Sequence, residues 1–343
     1  MKTLVPFHKI GTQQVTIVDG LHPHNLCLSH WKGANSIKEI AADTSGEIVI
    51  NALSKNYTGI DNPLVSATHF DIDGFVGVFA LFYPEVAMQY KNELIAMARI
   101  GDFREFRPHN DVYDFALKLC CWMNKVEKGK FYRPFENKDE IESCVEKFEF
   151  FLPRFKKVIE NIEDFKEDWY EEYEAVQNGI QQQVSSTVFE SIGLVKKEFE
   201  KPSHYYALFS DTEGSDIVLS IYPNNRYELE YKYTTWIDLA SRTCLPRIDL
   251  KPLATKLNEI EKSEYTWQVD SISDTGPILR LEATKLSKVD RYANPAERNI
   301  YTSSISSNQF EKTILIHLKR IFNGVEPKKN WTWNEMRKLN GVI

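Results

Sequence analysis

Ten consecutive residues from Gly74 to Tyr83, Gly-Phe-Val-Gly-Val-Phe-Ala-Leu-Phe-Tyr, carry no charged side chain and are apolar on every side. Such a segment has no face to offer to water, so it predicts a helix buried all round inside a layered core. It is far shorter than the roughly 20 residues needed to cross a bilayer, so no membrane span is expected. Pro63–Thr68 before it reads as a buried strand, and Pro84 after it can open a second helix running to about Arg99. Between strand and helix lies His69-Phe70-Asp71-Ile72-Asp73-Gly74.

The flanking text has the same grammar. Residues 14–19 and 25–29 read as short strands, Glu47–Leu53 as a short helix and Asp111–Lys125 as an amphipathic one. Strand, loop and helix in this order predict an α/β domain with a largely parallel sheet and flanking helices, over residues 1–135. From 136 to 183 the text is helical and acidic, bent at Pro153. Fourteen acidic against six basic residues between Glu136 and Glu174 hold a balance of −8, against −7 for the whole chain. The acidity thus belongs to one helical stretch. Gln181-Gln-Gln-Val-Ser-Ser-Thr187 reads as a linker. Residues 184–343 predict an α+β substrate or accessory domain, with strands at Tyr205–Ser210, Ile217–Tyr222 and Tyr227–Tyr233, the turn Pro223-Asn224-Asn225, a helix near Lys251–Lys262, strands near Thr266–Ile272 and Ile278–Glu282, and a helix at Asn308–Phe322. At 343 residues the chain is long for one core.

Composition excludes several classes. Without a strongly basic surface, binding of long duplex nucleic acid is not expected. Cys27, Cys120, Cys121, Cys144 and Cys244 are odd in number and have no metal-ligand spacing, which fits reduced thiols and a cytoplasmic location. No P-loop, GxGxxG, GxSxG or HExxH run occurs. The sequence carries no signal of oligomeric state.

The chemistry concentrates in His69–Gly74. In an extended chain residues two apart share one side, so His69, Asp71 and Asp73 can converge while Phe70 and Ile72 point into the core. The carboxyl end of a parallel strand is where open α/β sheets keep their ligand sites. An imidazole and two carboxylates suit Mn²⁺, with Mg²⁺ as the alternative. The blander reading makes Asp73 the N-cap of the helix starting near Gly74. Asp102 is either a further ligand or a turn residue. Asn110 or Asp111 is an N-cap, and Arg99, Arg104 and Arg107 offer guanidinium forks for a phosphate.

Thr68-His69-Phe70-Asp71-Ile72-Asp73-Gly74, with the buried run after it, resembles the first motif of the DHH phosphoesterase superfamily. The upstream Leu26-Cys27-Leu28-Ser29-His30-Trp31 is similar to that family's Asp-His-His strand end, with two of the three residues replaced and the order permuted. Ala42-Asp43-Thr44-Ser45 is similar to the segment that follows it. As a whole the N-terminal part resembles an uncharacterised bacterial family sharing these three pieces, which brings no activity with it. The superfamily resemblance implies a manganese-dependent hydrolase of a phosphodiester or other small phosphorylated substrate, a short oligonucleotide included. His69, Asp71 and Asp73 would be ligands, His30, Asp43 and Asp102 would complete the site, Asp73 and His30 would act in catalysis, and Arg99 and Arg104 would hold substrate. The alternative is a non-catalytic anion-binding or regulatory protein on the same fold.

Overall fold

A computed structural model describes residues 2–34, 37–131, 140–284 and 286–341. The chain divides into two compact units, Met1–Glu174 and Ala175–Ile343. The first unit is α/β. Strands β1 (Thr3–Leu4), β2 (Thr16–Val18), β3 (Leu26–Leu28) and β4 (Leu64–Ala67) form a wholly parallel sheet in the order β1-β4-β2-β3. Helices α1 (Ser45–Ser54), α2 (Ile72–Phe82), α3 (Pro84–Gln89), α4 (Lys91–Phe103), α5 (Asp111–Lys130) and α6 (Glu140–Glu160) flank it, and α7 (Tyr170–Gln181) runs across the division.

The apolar run is α2, buried from Asp73 to Leu81. Two glycines set its distance from α1. A Cβ at Gly77 would lie 3.3 Å from Val49 Cγ2 of α1 and 2.6 Å from Val18 Cγ1 of β2, and one at Gly46 would lie 2.8 Å from Val76 Cγ1 of α2. Neither glycine can gain a side chain unless its neighbours shift, α1 from α2 and, at Gly77, β2 from α2 as well. Because the helices pack this closely, both N-termini open beside the carboxyl ends of β2, β3 and β4. The strands β2 and β3 are parallel neighbours joined only by residues 19–25, a much shorter connection than the usual helical crossover.

Several elements differ from the sequence reading. The stretch from Pro84 to Arg99 is two helices, because Tyr90 leaves the helical region (φ −106°, ψ 33°). Helix α6 continues through Pro153, with Phe148, Phe151 and Phe155 packed against Phe70, Phe75 and Phe79. The acidic stretch is therefore part of the first unit's core on its aromatic side. The boundary expected at 135/136 lies outside the described residues.

In the second unit, β5 (Gln183–Phe189), β6 (Leu194–Phe199), β7 (Ile217–Tyr222), β8 (Arg226–Tyr231), β9 (Thr266–Val269) and β10 (Ile278–Glu282) form a mixed sheet in the order β5-β6-β7-β8-β10-β9. The Gln/Ser/Thr-rich piece read as a linker is thus mostly strand β5, since Val184, Thr187 and Val188 favour a pleated chain. Tyr205–Leu208 is a helical turn (α8) and not a strand, because His204 Nδ1 accepts from Tyr206 N and buried Lys197 binds Ser210 O at 2.6 Å. Asn224 and Asn225 make the β7–β8 turn with φ of 62° and 52°, as a tight hairpin requires.

One sheet face packs Leu219, Leu229 and Leu279 against α9 (Lys251–Ile260) and α11 (Ser307–Phe322). The opposite face is charged yet buried. It is held by Arg298 Nη2 to Glu228 Oε2 at 2.7 Å, Arg280 Nε to Glu282 Oε1 at 2.9 Å, and Arg291, the last residue of the short helix α10 (Lys288–Arg291), to Glu282 Oε1 at 2.5 Å. A short helix α12 (Trp333–Leu339) follows, opened by a Thr332–Glu335 capping box. Among the described residues no helix is long and apolar enough to cross a membrane, and no disulfide links the five cysteines.

His317 is buried in α11, and burial with the nearby charges of Lys256 and Arg320 lowers its pKa from 6.5 to about 4. The unfolded chain therefore takes the proton first as the pH falls. Stability is full above about pH 6.5, drops between there and about 4, and levels off below. His317→Leu should flatten that part of the profile. Urea midpoints measured from pH 7 to 4 check it, and equal slopes in the variant and the native chain would contradict it.

Candidate metal centre

The carboxyl ends of three parallel strands each deliver one residue. Asp19 follows β2, His30 follows β3 by two residues, and His69 follows β4 by two. Asp19 is 2% exposed and left-handed (φ 48°), a conformation that an Asp tolerates at some cost and that concentrates at functional sites. Helix α2 adds Asp71 as its N-cap, with Oδ1 accepting from Gly74 N at 2.8 Å, and Asp73 in its first turn. The cap is therefore Asp71, not Asp73. Near the end of α4 stands Asp102.

These side chains form two groups that share one carboxylate. His69 Nε2 lies 3.0 Å from Asp71 Oδ2 and 3.3 Å from Asp19 Oδ2. His30 Nε2 lies 3.5 Å from Asp19 Oδ1, 3.8 Å from Asp73 Oδ2 and 3.3 Å from Asp102 Oδ2. In each of the sets Asp19–His69–Asp71 and Asp19–His30–Asp73 the ligand atoms lie within 4.8 Å of one another. Asp19 thus turns one oxygen to each histidine.

Hydrogen bonds fix which ring nitrogen faces inward. His30 Nδ1 lies 2.6 Å from the backbone oxygen of Asp43, which can only accept, so Nδ1 carries the hydrogen and Nε2 meets the carboxylates. Thr68 Oγ1 donates to Asp19 O at 3.0 Å and has no second proton, so it accepts from His69 Nδ1 at 3.0 Å. Both imidazoles therefore aim an unprotonated Nε2 at the acidic cluster when neutral, the pattern seen in metal-ligating histidines. Asp73 is wholly buried, and its two oxygens accept from Ser45 N at 2.8 Å and Gly46 N at 2.7 Å at the start of α1. Ser45 Oγ also donates to Asp19 Oδ1 at 2.7 Å.

Burial, then the negative charges of Asp71 for Asp19 and of Asp19 and Asp71 for Asp73, push both carboxyls up, Asp73 strongly. Burial and the same neighbours raise Asp102 well above its usual range. Asp71 goes the other way: His69, which donates from Nε2 to Oδ2 at 3.0 Å when its ring is protonated, and the Gly74 N–H outweigh the loss of water around it. Three carboxyls held up by burial and then by mutual repulsion would ionise together only beside a strong positive charge. Asp102 Oδ2 is buried without a hydrogen-bond partner, an acceptor aimed at the same space. Hard carboxylate oxygens with two imidazoles suit an octahedral divalent ion such as Mn²⁺. The residues present fit such an ion.

A model described as a family of unknown function (DUF6687) matches residues 1–329. The chain belongs to this family. No curated protein and no solved structure matches it.

The other sequence candidates take different places in this DUF6687 protein. The Asp43 carboxylate lies 3.2 Å from Arg99 Nη2, while its backbone oxygen orients His30. Arg99 also faces Glu47 at 3.4 Å and Glu105 at 3.9 Å, so its charge is spent among three carboxylates. Arg104 caps α4 in the left-handed conformation (φ 56°), and Arg107 lies over the Tyr113 ring. Asn110 caps α5. In the second unit Arg242 pairs with Asp216 at 2.6 Å, and buried Arg247 donates to the backbone oxygens of Lys232, Ile272 and Thr275. The sequence reading missed Asp19. In sequence it is a carboxylate directly after the β2 text and before Gly20, a local pattern shared with ordinary turns. Thr68→Val should remove the hydroxyl that orients His69 and weaken Mn²⁺ binding by about 10–100-fold, whereas Thr68→Ser should keep it. Calorimetric titration of both variants checks this, and equal affinities would contradict it.

Proposed function

We propose that this protein is a metal-dependent hydrolase of a phosphodiester or other small phosphorylated substrate, with two divalent cations, Mn²⁺ or alternatively Mg²⁺, held side by side. The observation that carries this reading is the single carboxylate of Asp19 shared between the His30 and His69 groups. Paired ions about 3.5–4 Å apart are the usual device for in-line displacement at phosphorus. Bound there, the ions would supply Lewis acidity toward phosphoryl oxygens and a lowered pKa for water.

The chain's own residues have unequal tasks. His30, Asp73 and Asp102 have side chains 0%, 0% and 7% exposed, and with Asp19 they make a closed inner position. His69 and Asp71 are 29% and 36% exposed, so the outer position, with three ligating groups among the described residues, opens to solvent. A substrate phosphoryl group would be received on this outer side, because an open coordination position is what separates a reactive site from a structural one. Trp31, whose ring centroid is 5.6 Å from that of His69, walls the opening. Asp43 acts through its backbone on His30, and Arg99 holds Asp43 in place. Neither is assigned to substrate. The five cysteines without a disulfide suit a reducing cytoplasm.

Mn²⁺-loaded protein should hydrolyse bis-p-nitrophenyl phosphate, a short oligonucleotide or a cyclic dinucleotide. Asp73→Ala and Asp19→Asn should each lower the rate by roughly 10²-fold or more, since displaced ions lose their alignment with the phosphoryl group. Metal bound without turnover across that panel would favour an anion-binding role on the same fold. Turnover untouched by Asp19→Asn would place the chemistry elsewhere.

A further inference from the structure

The pair Asn-Gly occurs three times in the chain, at Asn178-Gly179, Asn323-Gly324 and Asn340-Gly341. Each is followed by a β-branched apolar residue, Ile180, Val325 or Val342, so the three are nearly alike in local chemistry. Glycine has no Cβ to shield its backbone nitrogen, which can therefore approach the side-chain amide carbon of the asparagine before it. The fold decides which pair is free to react. Asn178 lies inside α7, where the helical ladder engages the N–H groups, and Gly179 is buried, with a Cβ there only 2.8 Å from Ala207 Cβ. Asn340 is held at both ends of its amide. Its Oδ1 accepts from Asp249 N at 2.7 Å, and its Nδ2 donates to Arg247 O at 3.2 Å and to Met336 O at 2.6 Å. Gly341 N is itself tied to Lys338 O at 3.1 Å. Asn323 has none of these restraints. It stands exposed just past α11 with a non-helical backbone (φ −62°, ψ 117°), and its side chain makes no hydrogen bond among the described residues. Gly324 is exposed too, a Cβ there would meet nothing within 4 Å, and the hydrogen bond of this turn runs past it, from Val325 N to Phe322 O at 3.0 Å.

We propose that Asn323 is a site of spontaneous deamidation in the folded protein, through attack of Gly324 N on its side-chain amide. Gly324 N gives its proton to a water or buffer base and bonds to Asn323 Cγ. The Cγ–Nδ2 bond breaks, and the leaving nitrogen takes a proton back and departs as ammonia. The five-membered imide then adds one water at either carbonyl carbon. It opens to an aspartate, or to an isoaspartate in which the main chain runs through the former side chain. No oxidant or cofactor enters. Either product adds a negative charge at the carboxyl end of α11, where the helix's own partial charge is already negative. An isoaspartate also lengthens the backbone between Phe322, buried in the second unit's core, and Val325, packed against that core.

Peptide mass mapping with isoaspartate quantification, on the full chain aged at mildly alkaline pH below its unfolding transition, tests this. In the folded protein Asn323 should exchange NH2 for OH while Asn178 and Asn340 stay intact. In guanidinium chloride all three should convert at comparable rates, because their sequence neighbours are alike and only the fold distinguishes them. Asn323→Gln, which would have to close a six-membered ring, should lose the conversion at that position. An intact Asn323 in the aged folded protein would overturn the proposal, as would conversion of Asn178 or Asn340 as fast as Asn323. So would a preference for Asn323 that persists unchanged in the unfolded chain.

Discussion

Asp19, Asp73 and Asp102 are buried within a few ångströms of His30, where water cannot separate their charges, and Asp71 and His69 stand at the open side of the same cluster. Burying one carboxylate costs several kcal/mol unless it is paired, and burying neighbours together multiplies the repulsion. The first unit is built to tolerate this. The N-termini of α1 and α2 both open on the cluster, and backbone N–H groups of Ser45, Gly46 and Gly74 donate to its oxygens. These partial charges offset only part of the cost of burial and of the repulsion at Asp73, and Asp102 has no such donors, so both remain reluctant to ionise.

The close approach of α1 and α2 follows from the same requirement. Gly46 and Gly77 bring the helices together, and the contact places Gly46 N beside Asp73 Oδ1. Behind the centre, Phe70 turns away from the cluster into the aromatic layer of Phe75, Phe148 and Phe151, anchoring the segment that carries His69 and Asp71. Lys147 is buried on that side and pairs with Glu127 at 2.5 Å, so its charge is met within the core. The cluster is thus held in place by backbone hydrogen bonds and packing.

Much of this was legible in the sequence, and for stated reasons. The buried-strand text of Pro63–Thr68 and the apolar run after it point to the β4–α2 pair, and with them to His69, Asp71 and Asp73. His30 was legible as a strand end. Asp19 was not picked out because a single Asp before a Gly looks like any turn; only the pairing of β2 between β4 and β3 makes it central. Asp43 was read as a ligand because sequence does not say which of its two oxygen-bearing groups, side chain or backbone, turns inward. Strand β5 was read as a linker because polar composition resembles a loop, while its partner β6 lies beyond a turn. Tyr205–Leu208 has strand-forming residues but is bent into a helical turn by buried Lys197, a tertiary contact that no local pattern reveals.

As proposed above, the Asp19 carboxylate would help to hold two cations, one with the buried His30 group and one with the exposed His69 group. Anomalous diffraction at the manganese edge from crystals equilibrated with Mn²⁺ tests it most directly. The account predicts two peaks roughly 3.5–4 Å apart, one among His30, Asp73 and Asp102 and the other beside His69 and Asp71, with Asp19 between them. Absence of both peaks, or manganese bound elsewhere on the chain, would contradict it.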